Sequence, residues 1–203
     1  MLKYGSIKVC ILGSCNVGKT SIILKYLNNN KNTETTLGAI YWLLEHTTKC
    51  GKEIKINFWD TAGQERYNSL IPMYSRNSDI VLITFDLTDK DTFSELDKWI
   101  NIVQDNNPNC KIILIGNKCD LKIFRRIEYN DVQSLIKNKF IQNVIYMETS
   151  AVSGINIKNL FEKIFELSLS IVKERKVETI MKDITELEIE SNAESKLSCC
   201  SVQ

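Results

Sequence analysis

Short apolar runs alternate with amphipathic stretches along the first 172 residues. Runs rich in β-branched residues predict strands, and apolar residues three or four positions apart predict helices. The runs 79–86 and 111–117 are almost continuously apolar, as is typical of parallel strands that helices cover on both faces. The segments 39–50 and 53–59 flank a Cys-Gly-Lys turn and predict a hairpin. The predicted strands are 7–12, 39–50, 53–59, 79–86, 111–117 and 143–149, and the predicted helices are 20–27, 92–104, 131–140 and 156–172. This order of strands and helices predicts a doubly wound α/β domain.

The pattern changes at about residue 173. The segment 173–203 has many charges and few aromatic residues, with five Lys and Arg against seven Asp and Glu, a net charge of −2. Such a composition buries too little apolar surface to offset the entropy of ordering the chain. We therefore predict one domain over 1–172 and a flexible tail with at most fraying helix over 173–203.

Composition excludes several classes of protein. Apolar residues make up 43% and charged residues 25% of the chain, and the net charge is +1, so we expect no nucleic-acid partner. No apolar run approaches the length of a membrane span, and the first residues lack the layout of a secretory signal. The seven cysteines are odd in number and irregularly spaced, so we expect reduced thiols in the cytosol.

A phosphate-binding loop follows the first predicted strand. GSCNVGKT at 13–20 matches G-x-x-x-x-G-K-[ST] and opens a predicted helix, which is the context that supports the motif over a chance Gly-rich turn. Its glycines let the backbone wrap a phosphate chain, and the helix N-terminus adds partial positive charge. Lys19 is placed to reach the β- and γ-phosphates, and Thr20 to ligate Mg²⁺. Kinases, ATPases and GTPases share this loop, so the nucleotide stays open.

Two later motifs select guanine. NKCD at 117–120 follows the strand 111–117, and its Asp120 carboxylate is able to accept two hydrogen bonds from the guanine edge, a donor pair that adenine lacks. Lys118 is able to lay its methylene stem along the base, and Asn117 to tie this segment to the phosphate loop. ETSA at 148–151 follows the next strand, where the Ala151 amide would donate to the guanine carbonyl. An ATP-using enzyme is a less consistent alternative because Asp120 opposes it.

A third group of residues would sense the γ-phosphate. WDTAGQERY at 59–67 places Asp60 as a second-sphere Mg²⁺ ligand and Gly63 as an amide donor that approaches closely because it lacks Cβ. Gln64 would orient the attacking water. Thr36 offers a hydroxyl to both Mg²⁺ and the γ-phosphate. Together these residues predict two loops that respond to a third phosphate.

In this order, GSCNVGKT, TLG, WDTAGQERYNSL, NKCD and ETSA resemble the five nucleotide-binding motifs of small Ras-like GTPases. WDTAGQERY and the paired terminal cysteines resemble the Rab branch, and TLGAIYW with WDTAGQERYNSLIPMYSR is most similar to its early-endosomal subgroup. The resemblance covers about residues 6–172. It implies a P-loop NTPase G domain, in which a six-stranded, mostly parallel sheet with one antiparallel strand at 39–50 is flanked by five helices.

The resemblance also implies a function. It implies a GTPase that holds GTP or GDP with Mg²⁺, recruits effectors when GTP-loaded, and regulates vesicular and endosomal membrane traffic. The implied partners are an exchange factor, a GTPase-activating protein, effectors and a prenyl-binding escort or dissociation inhibitor. The implied location is the cytoplasmic face of intracellular membranes, endosomal in particular, with a cytosolic pool. Another switch of the Ras superfamily remains an alternative.

The resemblance assigns roles residue by residue. Gln64 and Lys19 are assigned to catalysis. The metal ligands are Thr20, Thr36 and Asp60, and the effector-binding aromatics are Tyr41, Trp59 and Tyr74, which would otherwise be core residues. The nucleotide-binding residues are Ser14, Cys15, Asn16, Val17, Gly18, Lys19, Thr20, Ser21, Thr36, Gly63, Asn117, Lys118, Asp120, Ser150 and Ala151.

Three positions depart from the family pattern, namely Asn29, Cys15 and Trp42. Cys15 is a small side chain at the phosphate-loop position nearest the γ-phosphate. Asn29 stands where family members carry an aromatic that covers the base, and the loop after it is one residue short. Because stacking on a base contributes about 1–3 kcal/mol, we expect looser binding and faster exchange. Asn29 also favours a pseudo-GTPase scaffold, which the intact Lys19 and Gln64 oppose. Trp42 follows Tyr41, so the hairpin has room for an extra residue, and either aromatic is a candidate for the effector surface.

Two cysteines near the end of the chain, Cys199 and Cys200, have no structural explanation in the tail. One lipid chain gives only marginal membrane binding, and the tail has no polybasic patch, so stable anchoring would need a second lipid. The final CSVQ fits C-a-a-X. The Rab resemblance implies geranylgeranylation of both cysteines.

Overall fold

The computed structural model describes residues 3–28, 39–48, 51, 53–61, 63, 71–138 and 144–198. Five positions in the predictions above lie outside these residues, namely Asn29, Thr36, Gln64, Cys199 and Cys200.

The described strands form one sheet of six, in the order β2-β3-β1-β4-β5-β6. Strand β2 runs antiparallel to β3, and every other neighbouring pair is parallel, which confirms the predicted mostly parallel sheet with a hairpin at one edge. The strands are β1 (Lys3–Leu12), β2 (Ala39–Thr47), β3 (Glu53–Thr61), β4 (Ile80–Asp86), β5 (Lys111–Asn117) and β6 (Val144–Glu148).

Helices connect the parallel strands. The described helices are α1 (Lys19–Tyr26), α2 (Ile71–Ser75), α3 (Lys90–Ser94), α4 (Leu96–Asn106), α5 (Tyr129–Asn138) and α6 (Ile157–Ser198), with a 3₁₀ turn at Lys122–Phe124. Because α3 and α4 are two parts of one helix interrupted at Glu95, the described helices number five, which confirms the number that the family resemblance implied. The sequence pattern did not predict α2, since five residues are too few to show helical periodicity.

Alternating residues divide the core between the two faces of the sheet. In β1, Ile7, Val9 and Ile11 pack into a cluster with α1 and α6, while Cys10 and Leu12 pack into a second cluster with α4 and α5. Successive side chains of a strand point to opposite faces, so one strand supplies both clusters. Every residue of β4 is buried, as its continuous apolar run predicted.

The last helix extends beyond the predicted end of the domain. Val172 is buried, whereas residues 173–179 are all exposed, and the helix continues to Ser198. Arg175 pairs with Asp79 and so holds the first exposed turns against the domain. The division between domain and tail at residue 172 stays a prediction. None of the described helices is both long enough and apolar enough to cross a membrane.

Candidate functional site

The motif residues converge on one edge of the sheet. Each lies at or just beyond the carboxyl end of a strand, where open α/β sheets bind their ligands. The strand register brings them together, since Ile11 of β1 lies opposite Asp60 and Asp86 of β4 lies opposite Asn117. The segment after β6 joins them because Gly116 lies opposite Glu148.

The phosphate loop needs its two glycines. Gly13 and Gly18 have φ values of 136° and 95°, and a Cβ at these positions would clash with the Thr84 carbonyl oxygen and the Asn117 amide respectively. Asn16 also adopts a left-handed φ of 60°, which asparagine tolerates better than most residues. Among the described residues no side chain caps α1, so the N-terminal amides of this helix are available to bind an anion.

Lys19 lies across the mouth of this loop. Its ammonium donates to the carbonyl oxygens of Gly13 at 2.8 Å and Ser14 at 2.7 Å, and its side chain is buried. Burial lowers the pKa of Lys19 to about 8, against the opposing charge of Asp60. A Cβ at Gly63 would clash with this ammonium and with the Ser14 carbonyl, so only glycine fits where the segment after β3 crosses the loop.

Asp60 is suited to a metal ion. It is fully buried, and neither carboxylate oxygen has a hydrogen-bond partner of acceptable distance and angle among the described residues. Burial raises the pKa of Asp60 to about 6, while the nearby Thr20 hydroxyl and Lys19 ammonium lower it. A buried carboxylate without a partner is costly unless a cation neutralises it. Hard oxygen donors of this kind suit Mg²⁺, so the residues present fit the predicted ion.

Asn117 joins three parts of the site. Its amide nitrogen donates to the Val17 carbonyl oxygen at 2.7 Å. Its amide oxygen accepts from the Thr149 hydroxyl at 3.2 Å and from the Ala151 amide at 3.3 Å. The predicted tie between the base motif and the phosphate loop is therefore present. The Ala151 amide, which we expected to donate to a guanine carbonyl, bonds to Asn117 in this structure, and its base-binding role stays a prediction.

The other base-motif residues line the same edge. Lys118 has a left-handed φ of 65°, and its ammonium lies 2.5 Å from a carboxylate oxygen of Asp86. Asp120 is half-buried two residues further along. Ser150 is fully buried, and its hydroxyl accepts from the Ser153 amide at 3.0 Å, which shapes the turn after β6.

Sequence reasoning missed three supporting side chains. Asp86 holds Lys118, the Ser14 hydroxyl donates to Glu95 at the α3–α4 interruption, and Arg125 forms a bidentate pair with Glu148. Ser14 and Glu95 are 81 positions apart, and Arg125 and Glu148 are 23 apart. No local pattern indicates such pairs, because the fold alone brings them together.

Three aromatic side chains lie side by side, the exposed Tyr41 and the half-buried Trp59 and Tyr74, which also pack against the second core cluster. The Tyr41 and Trp59 ring centroids are 5.4 Å apart, and those of Trp59 and Tyr74 are 5.8 Å apart. Tyr41 is 49% exposed, whereas Trp42 packs against the core on the other face of β2. The pairing of β2 with β3 runs without a shift, so this stretch of the hairpin holds no extra residue. The geometry therefore favours Tyr41 over Trp42 in the aromatic surface.

Comparison with known proteins gives consistent matches. The sequence model described as "Ras family" matches residues 8–170. The chain is 38% identical over 168 residues to "Ras-related protein Rab-31" of Mus musculus and of Homo sapiens, covering 81% of this chain and 84% of each relative. It is 40% identical over 159 residues to "Putative ras-related protein Rab-5B" of Dictyostelium discoideum, covering 77% of this chain and 72% of that protein.

Proposed function

The chain belongs to the Rab family of small Ras-like GTPases, and on this premise we propose how its residues bind GTP, hydrolyse it and anchor the protein to endosomal membranes. As a member of that family it binds GTP and GDP with Mg²⁺, hydrolyses GTP, and acts with regulators and effectors in vesicular traffic. The observation that carries the proposal is the convergence of Lys19, Asp60, Gly63 and Asn117 on one edge of the sheet.

We assign the phosphates to the loop before α1. The amides of residues 14–21 would surround them, with the ammonium of Lys19 neutralising the β- and γ-phosphates. Lys19 is preorganised for this task because its two carbonyl contacts fix the ammonium beside the loop. Fixed positive charge in a site shielded from water stabilises charge that develops in the transition state.

The hydrolytic role falls to residues after β3. Gln64 would orient a water for attack on the γ-phosphate, and the Gly63 amide would hold the γ-phosphate oxygen. Thr20, Thr36 and Asp60 would hold Mg²⁺, and the ion would neutralise negative charge on the phosphates. No arginine from this chain is assigned to the γ-phosphate, so intrinsic turnover should be slow, and an activating protein should raise it by about 10³–10⁵.

The base is assigned to the opposite end of the site. Asp120 would accept the two guanine donors, Lys118 would line one face of the base, and Ala151 would donate to its carbonyl. Asn117 links this half of the site to the phosphate loop through Val17.

Effectors and membrane are assigned to surfaces away from the nucleotide. Tyr41, Trp59 and Tyr74 would bind effectors in the GTP state. Geranylgeranyl groups on Cys199 and Cys200 would anchor the chain to the cytoplasmic face of endosomes, with a cytosolic pool held by a prenyl-binding protein. The likeness of the segments around residues 35–42 and 59–76 to early-endosomal Rabs supports this compartment.

Nucleotide content tests the proposal directly. The freshly purified full chain should release one guanine nucleotide per protein on denaturation, identified by chromatography. Asp120→Asn should abolish retention of guanine nucleotides, because it removes a carboxylate that accepts both donors. A wild-type chain that retains no guanine nucleotide after incubation with GTP and Mg²⁺ would overturn the assignment.

A further inference from the structure

The carboxylate of Asp86, at the end of β4, is held from two sides. One oxygen accepts from the Thr88 amide at 2.8 Å and from the Thr88 hydroxyl at 2.7 Å. The other lies 2.5 Å from the ammonium of Lys118. Only 7% of the Asp86 side chain is exposed, so a small rotation would break contacts on both sides at once.

Lys118 reaches Asp86 from a strained turn. Its φ of 65° is left-handed, a conformation that costs a residue with Cβ about 1–2 kcal/mol. The side chain therefore runs from the end of β5 back to the end of β4, and 32% of it remains exposed. This course turns the methylene stem into a wall at the edge of the sheet where the base motif lies.

The ion pair is built to persist at neutral pH. Burial alone would raise the pKa of Asp86, but the Lys118 ammonium and the two Thr88 donors outweigh burial and hold it below its usual range. Asp86 is therefore charged at neutral pH. Its carboxylate contacts neither the phosphate loop nor the base in the scheme above, so the direct route from this carboxylate to the nucleotide is through Lys118.

We propose that Asp86 is a positioning residue that fixes the Lys118 stem as a wall of the base site and thereby sets how long guanine nucleotide stays bound. This inference rests on the proposed contact of Lys118 with the base. The wall should be especially important in this chain, because the family resemblance implies a base-covering aromatic at the position that Asn29 occupies. Both effects act on base contacts and leave the γ-phosphate chemistry unchanged.

The test measures dissociation of fluorescently labelled GDP and inosine diphosphate from the full chain. Asp86→Asn keeps an oxygen for Thr88 but loses the charge that holds Lys118. The Asp86–Lys118 ion pair is intermediate in burial, so the effect of losing it should lie between those of losing an exposed and a buried pair. We therefore expect nucleotide dissociation to be about tenfold faster. Inosine diphosphate lacks the exocyclic amine assigned to Asp120, whereas the proposed effect of Asp86 acts through Lys118 and does not involve that amine. Dissociation of both nucleotides should therefore accelerate by the same factor. Asp86→Glu, which keeps the charge, should lie closer to wild type.

Two controls separate positioning from loss of structure. Asp89→Asn makes the same chemical change at the cap of α3, where Asp89 accepts from the Asp91 amide at 2.9 Å, and should leave dissociation within twofold of wild type. In a Lys118→Met background, Asp86→Asn should add less than twofold. Equal acceleration in both backgrounds, or no acceleration in the wild-type background, would overturn the inference. A wild-type chain that fails to bind GDP would instead overturn the proposed function on which it rests.

Discussion

Arg125 provides a sharp test of how the base-binding segments are held together. Its two terminal nitrogens lie 2.8 and 2.7 Å from the two carboxylate oxygens of Glu148, and the two side chains are 22% and 24% exposed. Exposed ion pairs contribute up to about 1 kcal/mol, and breaking a buried pair costs about 3–5 kcal/mol. At this intermediate burial Arg125→Ala should cost about 2 kcal/mol, a fall in melting temperature of about 4–8 °C for a chain of this size.

The adjacent arginine supplies the matched control. Arg126 is exposed, and its backbone amide bonds to the Leu87 carbonyl oxygen. Urea unfolding of the GDP-loaded chain should therefore show Arg125→Ala well below wild type and Arg126→Ala close to it. A double-mutant cycle with Glu148→Gln should give a coupling energy of similar size. Two arginine variants that agree to within about 0.5 kcal/mol would refute the reasoning.

The same pair predicts a pH dependence. The Arg125 guanidinium, with a hydrogen bond from Tyr146, outweighs burial and lowers the pKa of Glu148. Because the folded-state pKa lies below the unfolded value of about 4.3, the stabilisation is fully present above that pH and is lost as pH falls through the folded-state pKa. The stability gap between wild type and Arg125→Ala should narrow below about pH 4. A constant gap from pH 7 to pH 3 would contradict this origin.

Three further changes test other parts of the molecule. Gly63→Ala should lower single-turnover GTP hydrolysis about 10²-fold, because its Cβ clashes with the phosphate loop and a misplacement of about 1 Å costs that much; hydrolysis at the wild-type rate would contradict the close approach. Phe161→Ala should cost about 3–5 kcal/mol in urea unfolding, since the Phe161 ring is fully buried and its centroid lies 3.7 Å from that of Tyr26. The double variant Cys199→Ser, Cys200→Ser should carry no lipid in mass spectrometry and should not float with vesicles. Each single variant should float weakly, because one lipid chain anchors the protein only marginally.

The sequence predicts the strands and long helices because their patterns are local. The continuous apolar run of β4 and the amphipathic stretch of α4 mark their own positions and burial. The phosphate loop and the base motif are likewise short contiguous segments with a known relation to a strand end. Their convergence then follows from parallel topology, since the carboxyl ends of parallel strands share one edge of the sheet.

What the sequence did not predict depends on long-range geometry. Asp86 is an ordinary strand-end aspartate until the fold places it beside Lys118, 32 positions later. The choice between Tyr41 and Trp42 required the pairing of β2 with β3, because a shift of one residue exchanges the two faces of a strand. The direction of the Ala151 amide depends on its bond to Asn117, a contact between two separate motifs that neither motif shows by itself.

Strand β3 connects the proposed metal site with the aromatic surface over a single peptide bond. Asp60 is buried on one face of the strand, and neither of its carboxylate oxygens has a hydrogen-bond partner of acceptable distance and angle in the described part of the chain. The half-buried Trp59 lies on the other face, between Tyr41 and Tyr74. The Thr61 hydroxyl, which donates to the Ile11 carbonyl oxygen at 2.7 Å, fixes the end of the strand to β1. A ligand that neutralises Asp60 therefore acts on a strand end that is fixed to β1. Any conformational response has to occur in the groups that pack against this strand end. If Trp59 reports on this coupling, its fluorescence should change when Mg²⁺ is removed from the GTP-loaded chain, and the change should be lost in Asp60→Asn. A tryptophan signal that ignores Mg²⁺, measured with Trp42 and Trp99 replaced by Phe, would show that the two sites on β3 act independently.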